Sequence, residues 1–210
     1  MNNKHIVVLA NGEFPSVPEA LNYLNQAELI ICCDGAAEKL WKAGYQSHLI
    51  IGDCDSLSSE NIEKYQSEII IDKDQNYNDL QKALRYCIKQ KFKKVFVLGA
   101  TGLRDDHTLA NISIIMMYAV YLDLVMISNY GIFTPISKTT KFPSFPGQQV
   151  SVFSFEKERI ITFHNLLYPV KKHIFHHLWE GSLNQSLSDH FTVECDGTGV
   201  VVFSAFRQES

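Results

Sequence analysis

The segment Ile50-Ile51-Gly52-Asp53-Cys54-Asp55-Ser56 sets two carboxylates two residues apart, directly after an apolar run. Carboxylates at this spacing past a strand end converge on one hard cation when the backbone turns there. The competing reading is an Asx turn capping a helix that begins near Ser58, because Asp is a common turn residue. Three further apolar runs end in similar chemistry. Leu29–Cys32 leads into Asp34-Gly35-Ala36-Ala37, Ile69–Ile71 into DKDQNYNDLQK (residues 72–82), and Val95–Leu98 into GATGLRDDHTLAN (residues 99–111). In an open α/β sheet, ligands bind at the carboxyl ends of parallel strands, so four such junctions can share one cleft.

The GATG turn, with Arg104, Asp106, His107 and Thr108 at the next helix start, has the makings of a phosphate cradle. Glycines let backbone amides approach an anion, and a helix N-terminus favours negative charge. The GK[ST] ending of a Walker A loop is absent. Beside the acidic junctions, a Mg²⁺-nucleotide site is the economical account, since Mg²⁺ is held by one or two carboxylates plus phosphate oxygens.

These residues need a scaffold, and the chain supplies an α/β rhythm. Short β-type runs (Ile6–Leu9, Leu29–Cys32, Leu49–Ile51, Ile69–Ile71, Val95–Leu98, Leu124–Ile127) alternate with segments of helical period, which predicts a largely parallel sheet. Leu80, Ala83, Leu84, Cys87 and Ile88 form an amphipathic stripe, with Asn78 and Asp79 as capping residues at its start. After Gly131 the pattern becomes β-like, in five runs (Ile132–Ile136, Gln149–Phe155, Ile160–Phe163, His190–Cys195, Val200–Phe206) separated by Pro, Gly, Asn and Asp turns. This predicts an α/β domain over residues 1–130 and a small sandwich or barrel-like domain over 131–210. No proline lies between residues 19 and 134, whereas four of the six follow Gly131, a change of composition at the same boundary.

The chain has 210 residues, is 46% hydrophobic and 20% charged, and carries a formal charge of −4. The excess of acid lies wholly in residues 1–130, which hold 12 basic and 16 acidic side chains, while residues 131–210 hold 7 of each. That balance provides no drive toward nucleic acid or an anionic membrane. The start reads as a buried strand and not a signal peptide, and no apolar stretch approaches the roughly 20 residues of a membrane span. Five cysteines without CxxC spacing read as reduced core thiols, so a cytoplasmic protein without structural zinc is expected.

The series CDGAA, IGDCDS, DQNYNDLQKAL and GATGLRDDHTLAN, in that order and at these separations, resembles the signature series of the thiamin pyrophosphokinase (thiamine diphosphokinase) family. The likeness covers most of residues 5–128, and YPV (168–170) and GSLN (181–184) fit that family's second domain. It implies an N-terminal, mostly parallel α/β sheet domain that binds ATP and Mg²⁺, followed by a small C-terminal β-sandwich that binds thiamin and dimerises. It further implies a homodimer with thiamin sites at the subunit interface and transfer of diphosphate from ATP to thiamin, with AMP released. By the same resemblance, Asp53, Asp55 and Asp79 are the metal and catalytic carboxylates, with Arg104 steadying phosphate oxygens. Asp34, Gly99, Thr101, Gly102, Asp106 and His107 fall on the nucleotide side. Gln75 and Asn184 match the thiamin pocket, with Ser182 one place before the family's serine position, and the aromatic face of Trp179 could add a cation–π contact to the thiazolium, against the plainer reading of a packing residue. His173, His176 and His177 read as facing solvent or the dimer.

Four positions depart from the family pattern: Asn78 stands for the usual threonine, Asn76 for an acid, Leu103 for a glycine and Leu183 for a serine. The reaction implied is in-line attack of the thiamin hydroxyl on the β-phosphorus of ATP, with Asp79 or Asp55 taking the proton. Two alternatives stand beside it. One is a diphosphokinase for another hydroxymethyl heterocycle such as a pterin; the other is a catalytically silent nucleotide- or thiamin-binding protein.

Overall fold

A computed structural model describes residues 4–53, 57, 60, 63 and 68–207. The chain divides into two compact units, Met1–Asn129 and Tyr130–Ser210.

The first unit is built on six short apolar strands: β1 (Ile6–Leu9), β2 (Leu29–Cys33), β3 (Leu49–Gly52), β4 (Glu68–Ile71), β5 (Lys94–Leu98) and β6 (Asp123–Ile127). All pair in parallel, in the order β6-β5-β1-β2-β3-β4. Central strands of a parallel sheet are covered on both faces, which is why β1, β2, β3 and β5 read as near-continuous apolar runs. From β1 the chain winds outward through β2, β3 and β4, then returns to the other side of β1 with β5 and β6. The winding therefore reverses between β1 and β5, and loops leaving those two strands part to opposite sides and open a crevice.

Four helices are described in this unit: α1 (Pro18–Asn25), α2 (Ala36–Lys42), α3 (Asp79–Lys89) and α4 (Asp105–Tyr118). Helix α3 starts where the stripe predicts and buries Leu80, Ala83, Leu84 and Cys87. Its N-cap is Asn78, whose side chain accepts from the Gln81 amide at 2.9 Å while the Gln81 side chain accepts from the Asn78 amide at 3.2 Å. This reciprocal capping box satisfies two of the helix's orphan donors, so the asparagine that replaces threonine keeps the cap. In α2, the buried Trp41 indole donates to Ser47 Oγ at 3.0 Å and ties the helix end to the turn before β3.

The second unit is a β-sandwich. One antiparallel sheet orders β7 (Gly131–Ile136), β9 (Gln149–Ser154), β12 (Asn184–Gln185) and β14 (Val200–Ala205) as β12-β9-β14-β7. The other orders β8 (Thr140–Pro143), β10 (Ile160–His164), β11 (His173–Ile174) and β13 (His190–Glu194) as β11-β10-β13-β8. Alternate residues of both sheets, including Val150, Val152, Val200 and Val202 from one and Ile161, Phe163, Phe191 and Val193 from the other, form a single apolar core. Strands β8, β11 and β12 were not among the five expected runs. Two of them are only two residues long, and β8 is an edge strand ending in Pro143, so none shows enough alternation to be legible. Among the described residues, no helix is long and apolar enough to cross a membrane.

Candidate active site

A cleft of about 500 Å³ opens at the carboxyl ends of the first unit's strands. The loop after β1 contributes Ala10, Asn11 and Gly12; the loop after β5 contributes Ala100, Gly102, Leu103 and Arg104; the start of α3 contributes Asn78 and Asp79. His107 and Asn111 of α4 complete that wall. The cleft thus lies where the winding of the sheet reverses, between β1 and β5.

The two loops are stitched together by backbone. Gly12 N–H donates to the Gly99 carbonyl at 2.6 Å, and Glu13 N–H to the Thr101 carbonyl at 2.8 Å. Gly99 has φ of +64°, and a Cβ there would stand 2.5 Å from the Ala10 carbonyl oxygen, so both conformation and space demand glycine. Lys39 of α2 donates to the carbonyls of Asn11 and Gly12 at 2.8 and 2.7 Å, and Asn111 donates to the Ala100 carbonyl at 2.8 Å. Burial holds the Lys39 ammonium below its ordinary pKa.

Two strand-end acids, Asp34 and Asp53, act on the helix-start acid Asp79 through their charge. Asp34 follows β2 in a left-handed conformation (φ +41°), and its amide donates to the Ile51 carbonyl at 3.0 Å. Gly52, ending β3, packs so closely that a Cβ on it would lie 2.8 Å from Asp34 Cβ. Asp53 leaves the strand next. Asp79 is raised above the ordinary carboxylate range, chiefly by burial, and further by the charges of Asp34 and Asp53; its bond to Lys82 opposes the shift. Lys82 Nζ lies 3.2 Å from Asp79 Oδ1, and Lys82 is only 5% exposed. Burial also pushes the Cys33 thiol, on the cleft wall, well up. Asp55 and Cys54 lie outside the described residues, as does the helix start near Ser58.

The donor set suits a hard cation. Among the described residues, no group of three or more His, Cys, Asp and Glu side chains closes a metal cage. Mg²⁺ asks for less, one or two carboxylates with the remaining positions left to water and phosphate, and Asp53 with Asp79 can supply them.

Arg104 is turned onto Asp106, with Nη2 and Nε 2.6 and 3.1 Å from the two carboxylate oxygens. Both side chains are exposed, a setting in which ion pairs exchange readily. The pair raises the arginine's pKa and lowers the aspartate's. Leu103, where the family pattern has glycine, sits at φ +63° and is 75% exposed. The backbone form that glycine favours is kept there by a leucine, at a cost of about 1 kcal/mol or more. Gln75 lies exposed in the turn before α3, where Asn76 bonds Asp74 through its amide N–H and side chain at 2.9 and 2.8 Å.

In the second unit, Asn184 is 3% exposed and its amide group is committed to backbone. Its Oδ1 accepts from Tyr168 N–H at 3.0 Å and its Nδ2 donates to the Tyr168 carbonyl at 2.7 Å, presenting the exposed Tyr168 ring. Ser182 Oγ donates to the Trp179 carbonyl at 2.6 Å, closing the 3₁₀ turn Leu178–Gly181 from which Trp179 projects, 70% exposed. Leu183, at φ +56°, is exposed beside it. Glu180 braces the turn from within: its carboxylate takes the His173 and His177 rings, each at 3.1 Å, and the His176 and His177 amides.

Sequence reasoning missed the loop Asn11–Glu13, the lysines 39 and 82, and Glu180. The first was available, because Asn11-Gly12 follows an apolar run as the other four junctions do. The Asp79–Lys82 spacing of three on a helix is also a readable ion pair, but nothing local marks that lysine as buried.

Comparison with known proteins agrees with this geometry. The family model for the thiamin pyrophosphokinase catalytic domain matches residues 20–126, and that for the thiamin pyrophosphokinase substrate-binding domain matches residues 131–203. The chain is 29% identical over 123 residues to thiamin pyrophosphokinase 1 of Caenorhabditis elegans, covering 54% of this chain and 50% of that protein. With thiamine pyrophosphokinase of Bacillus subtilis it shares 28% over 170 residues, covering 76% and 73%. The chain therefore spans about half the length of the first of these relatives. The solved thiamin pyrophosphokinase from Candida albicans has the same fold, with a TM-score of 0.81 at 19% identity over 97% of this chain and 90% of that one. Since the catalytic-domain model takes in more than half of the chain, including the loop after β5 and the start of α3 on the cleft, and the second model accounts for the sandwich, the chain belongs to the thiamin pyrophosphokinase family.

Proposed function

We propose that the chain is a thiamine diphosphokinase, transferring diphosphate from ATP to the hydroxyl of thiamin and releasing AMP. What supports this most is that Asp79, within the fields of Asp34 and Asp53, shares a cleft with the glycine loop at the reversal point of a parallel sheet. Simple nucleotide binding does not call for clustered acids of this kind.

Diphosphoryl transfer asks a protein mainly for positioning and for stabilisation of charge. The Gly99–Gly102 loop would bring backbone N–H groups to phosphate oxygens, and Arg104 would exchange Asp106 for them. Asp53 and Asp79, with Asp55, would hold Mg²⁺, which when bound neutralises charge on the transferring group. Asp79, raised by burial, holds a proton more readily than an exposed aspartate and suits the role of acceptor for the hydroxyl proton. On the thiamin side would stand Gln75 and the Trp179 face, with Ser182 and Asn184 acting through the Trp179 turn and the Tyr168 backbone that they bond, and the negative cleft would favour the cationic thiazolium over neutral alcohols. We read the assembly as a homodimer with its thiamin sites at the subunit interface. The free, buried Cys32, Cys33, Cys87 and Cys195 suit a reducing, cytoplasmic setting.

The test is incubation with ATP, Mg²⁺ and either thiamin or a pterin alcohol, with AMP and diphosphorylated product measured. Thiamin diphosphate and AMP in equal amounts are expected, and Asp53→Ala should abolish both without unfolding the protein. AMP only with the pterin reassigns the acceptor, and none with either leaves a silent binder. Light scattering on the purified protein reads the dimer.

A further inference from the structure

Lys82 is a charged side chain buried directly behind Asp79, which lines the cleft, while the lysine itself faces a neighbouring cavity shared with Ile51, Tyr77 and Tyr86. A lysine 5% exposed has given up most of its hydration, and such a group persists when a neighbouring charge compensates it. The compensation is Asp79, one helical turn earlier, with Nζ 3.2 Å from Oδ1. Asp79 in turn lies within the fields of Asp34 and Asp53, so the buried lysine is paired with the acid on which those charges bear. Both belong to α3, which packs on β2 and β3, the strands that lead into Asp34 and Asp53.

We propose that Lys82 is a positioning residue of this site: a resident counter-charge that holds Asp79 by one oxygen, leaves the other to the cleft, and keeps the acids together before a divalent cation arrives. This rests on the reading of the cleft as a cation–phosphate site. Lys82 and the cation would then balance the same charges, one permanently and the other on binding. Removing Lys82 should strengthen the attraction for a bare cation while freeing the Asp79 carboxylate to turn, so binding and turnover move in opposite directions. An ordinary supporting residue would weaken both together.

The experiment compares the full chain with Lys82→Met, which preserves the buried stem, and with Asp79→Asn/Lys82→Met. Mn²⁺ alone is titrated by electron paramagnetic resonance, melting is followed in EDTA, and steady-state kinetics are measured with saturating thiamin. Expected for Lys82→Met are Mn²⁺ binding at least as tight as wild type, a lower melting temperature in EDTA, and a kcat reduced about tenfold or more with KM for ATP little changed. The double variant should recover most of the lost melting temperature, because it removes the charge left uncompensated. Weakened Mn²⁺ binding in parallel with kcat, an unchanged kcat, or a double variant that melts no higher than the single one overturns the proposal. If Lys82→Met does not fold, the double variant decides alone: a folded protein supports the counter-charge and an unfolded one refutes it. Wild-type protein that binds Mn²⁺ and makes no thiamin diphosphate refutes the reaction instead, and Lys82 is then judged on metal binding and melting.

Discussion

Replacing Gly52 with alanine tests whether strand-end packing sets the position of the acids. The new Cβ would stand 2.8 Å from Asp34 Cβ and 3.3 Å from its Cα. Carbon atoms rest at about 3.5–4.0 Å, so the two chain segments must part by about 1 Å. They are not free to do so. Asp34 N–H is bonded to the Ile51 carbonyl at 3.0 Å and Asp72 N–H to the Gly52 carbonyl at 2.9 Å, and both bonds would stretch. Overpacking of this kind costs about 1–3 kcal/mol, or a melting temperature lowered by roughly 2–12 °C for a chain of this size. A displacement of about 1 Å at reacting groups can reduce turnover about 100-fold. The assay is calorimetric melting with the AMP-release rate, on Gly52→Ala, Asp34→Gly and the double variant. Glycine at residue 34 removes the opposing Cβ and accepts the φ of +41° without strain. Gly52→Ala should therefore cost much less stability in the Asp34→Gly background than in the wild type. An equal cost in both backgrounds, or a single variant with wild-type melting and turnover, refutes the packing account.

Three further outcomes are expected. Asn78→Ala removes the capping box and should lower stability by about 1 kcal/mol in denaturant titration, while Asn78→Thr should stay near wild type. Trp179→Ala, at an exposed site, should leave the melting temperature unchanged and raise KM for thiamin; an unchanged KM removes this ring from the thiamin pocket. Glu180 is pulled down to about 2, first by its bond to His173, from an ordinary value of 4.5. A lowered carboxyl stabilises the fold above its ordinary value and loses that contribution as pH falls from about 4.5 toward 2. Melting curves of wild type and Glu180→Gln should accordingly differ most above that window and converge on acidification.

Much of the first unit was legible because parallel strands buried on both faces leave continuous apolar runs, and junction chemistry follows each run directly. The six strands lie within a residue of the runs read from sequence, and α3 begins at its cap. The second unit was legible in kind and less in detail, since two-residue strands such as β11 and β12 owe their pairing to neighbours. The site was harder to read. Asp34 and Asp53 are visible as strand-end acids, Asp79 as a helix-start acid and Gly99–Gly102 as a turn, but the state of each is a matter of surroundings. Arg104 is bonded to Asp106, and Asn184 spends its amide on the Tyr168 backbone.

By itself the sequence determined which residue types follow which strands, where composition changes from α/β to β, and the order of motifs that marks the family. These are properties of neighbours along the chain, and local sterics, capping and periodicity express them directly. Only the tertiary structure decided that β5 returns beside β1, which opens the cleft at that point and brings the loop at Asn11 into it. It also decided that Lys82 is buried against Asp79. Strand order and burial depend on contacts between residues far apart in sequence, and the energies that select them, hydrophobic cover and charge compensation, exist only once the chain has closed around them.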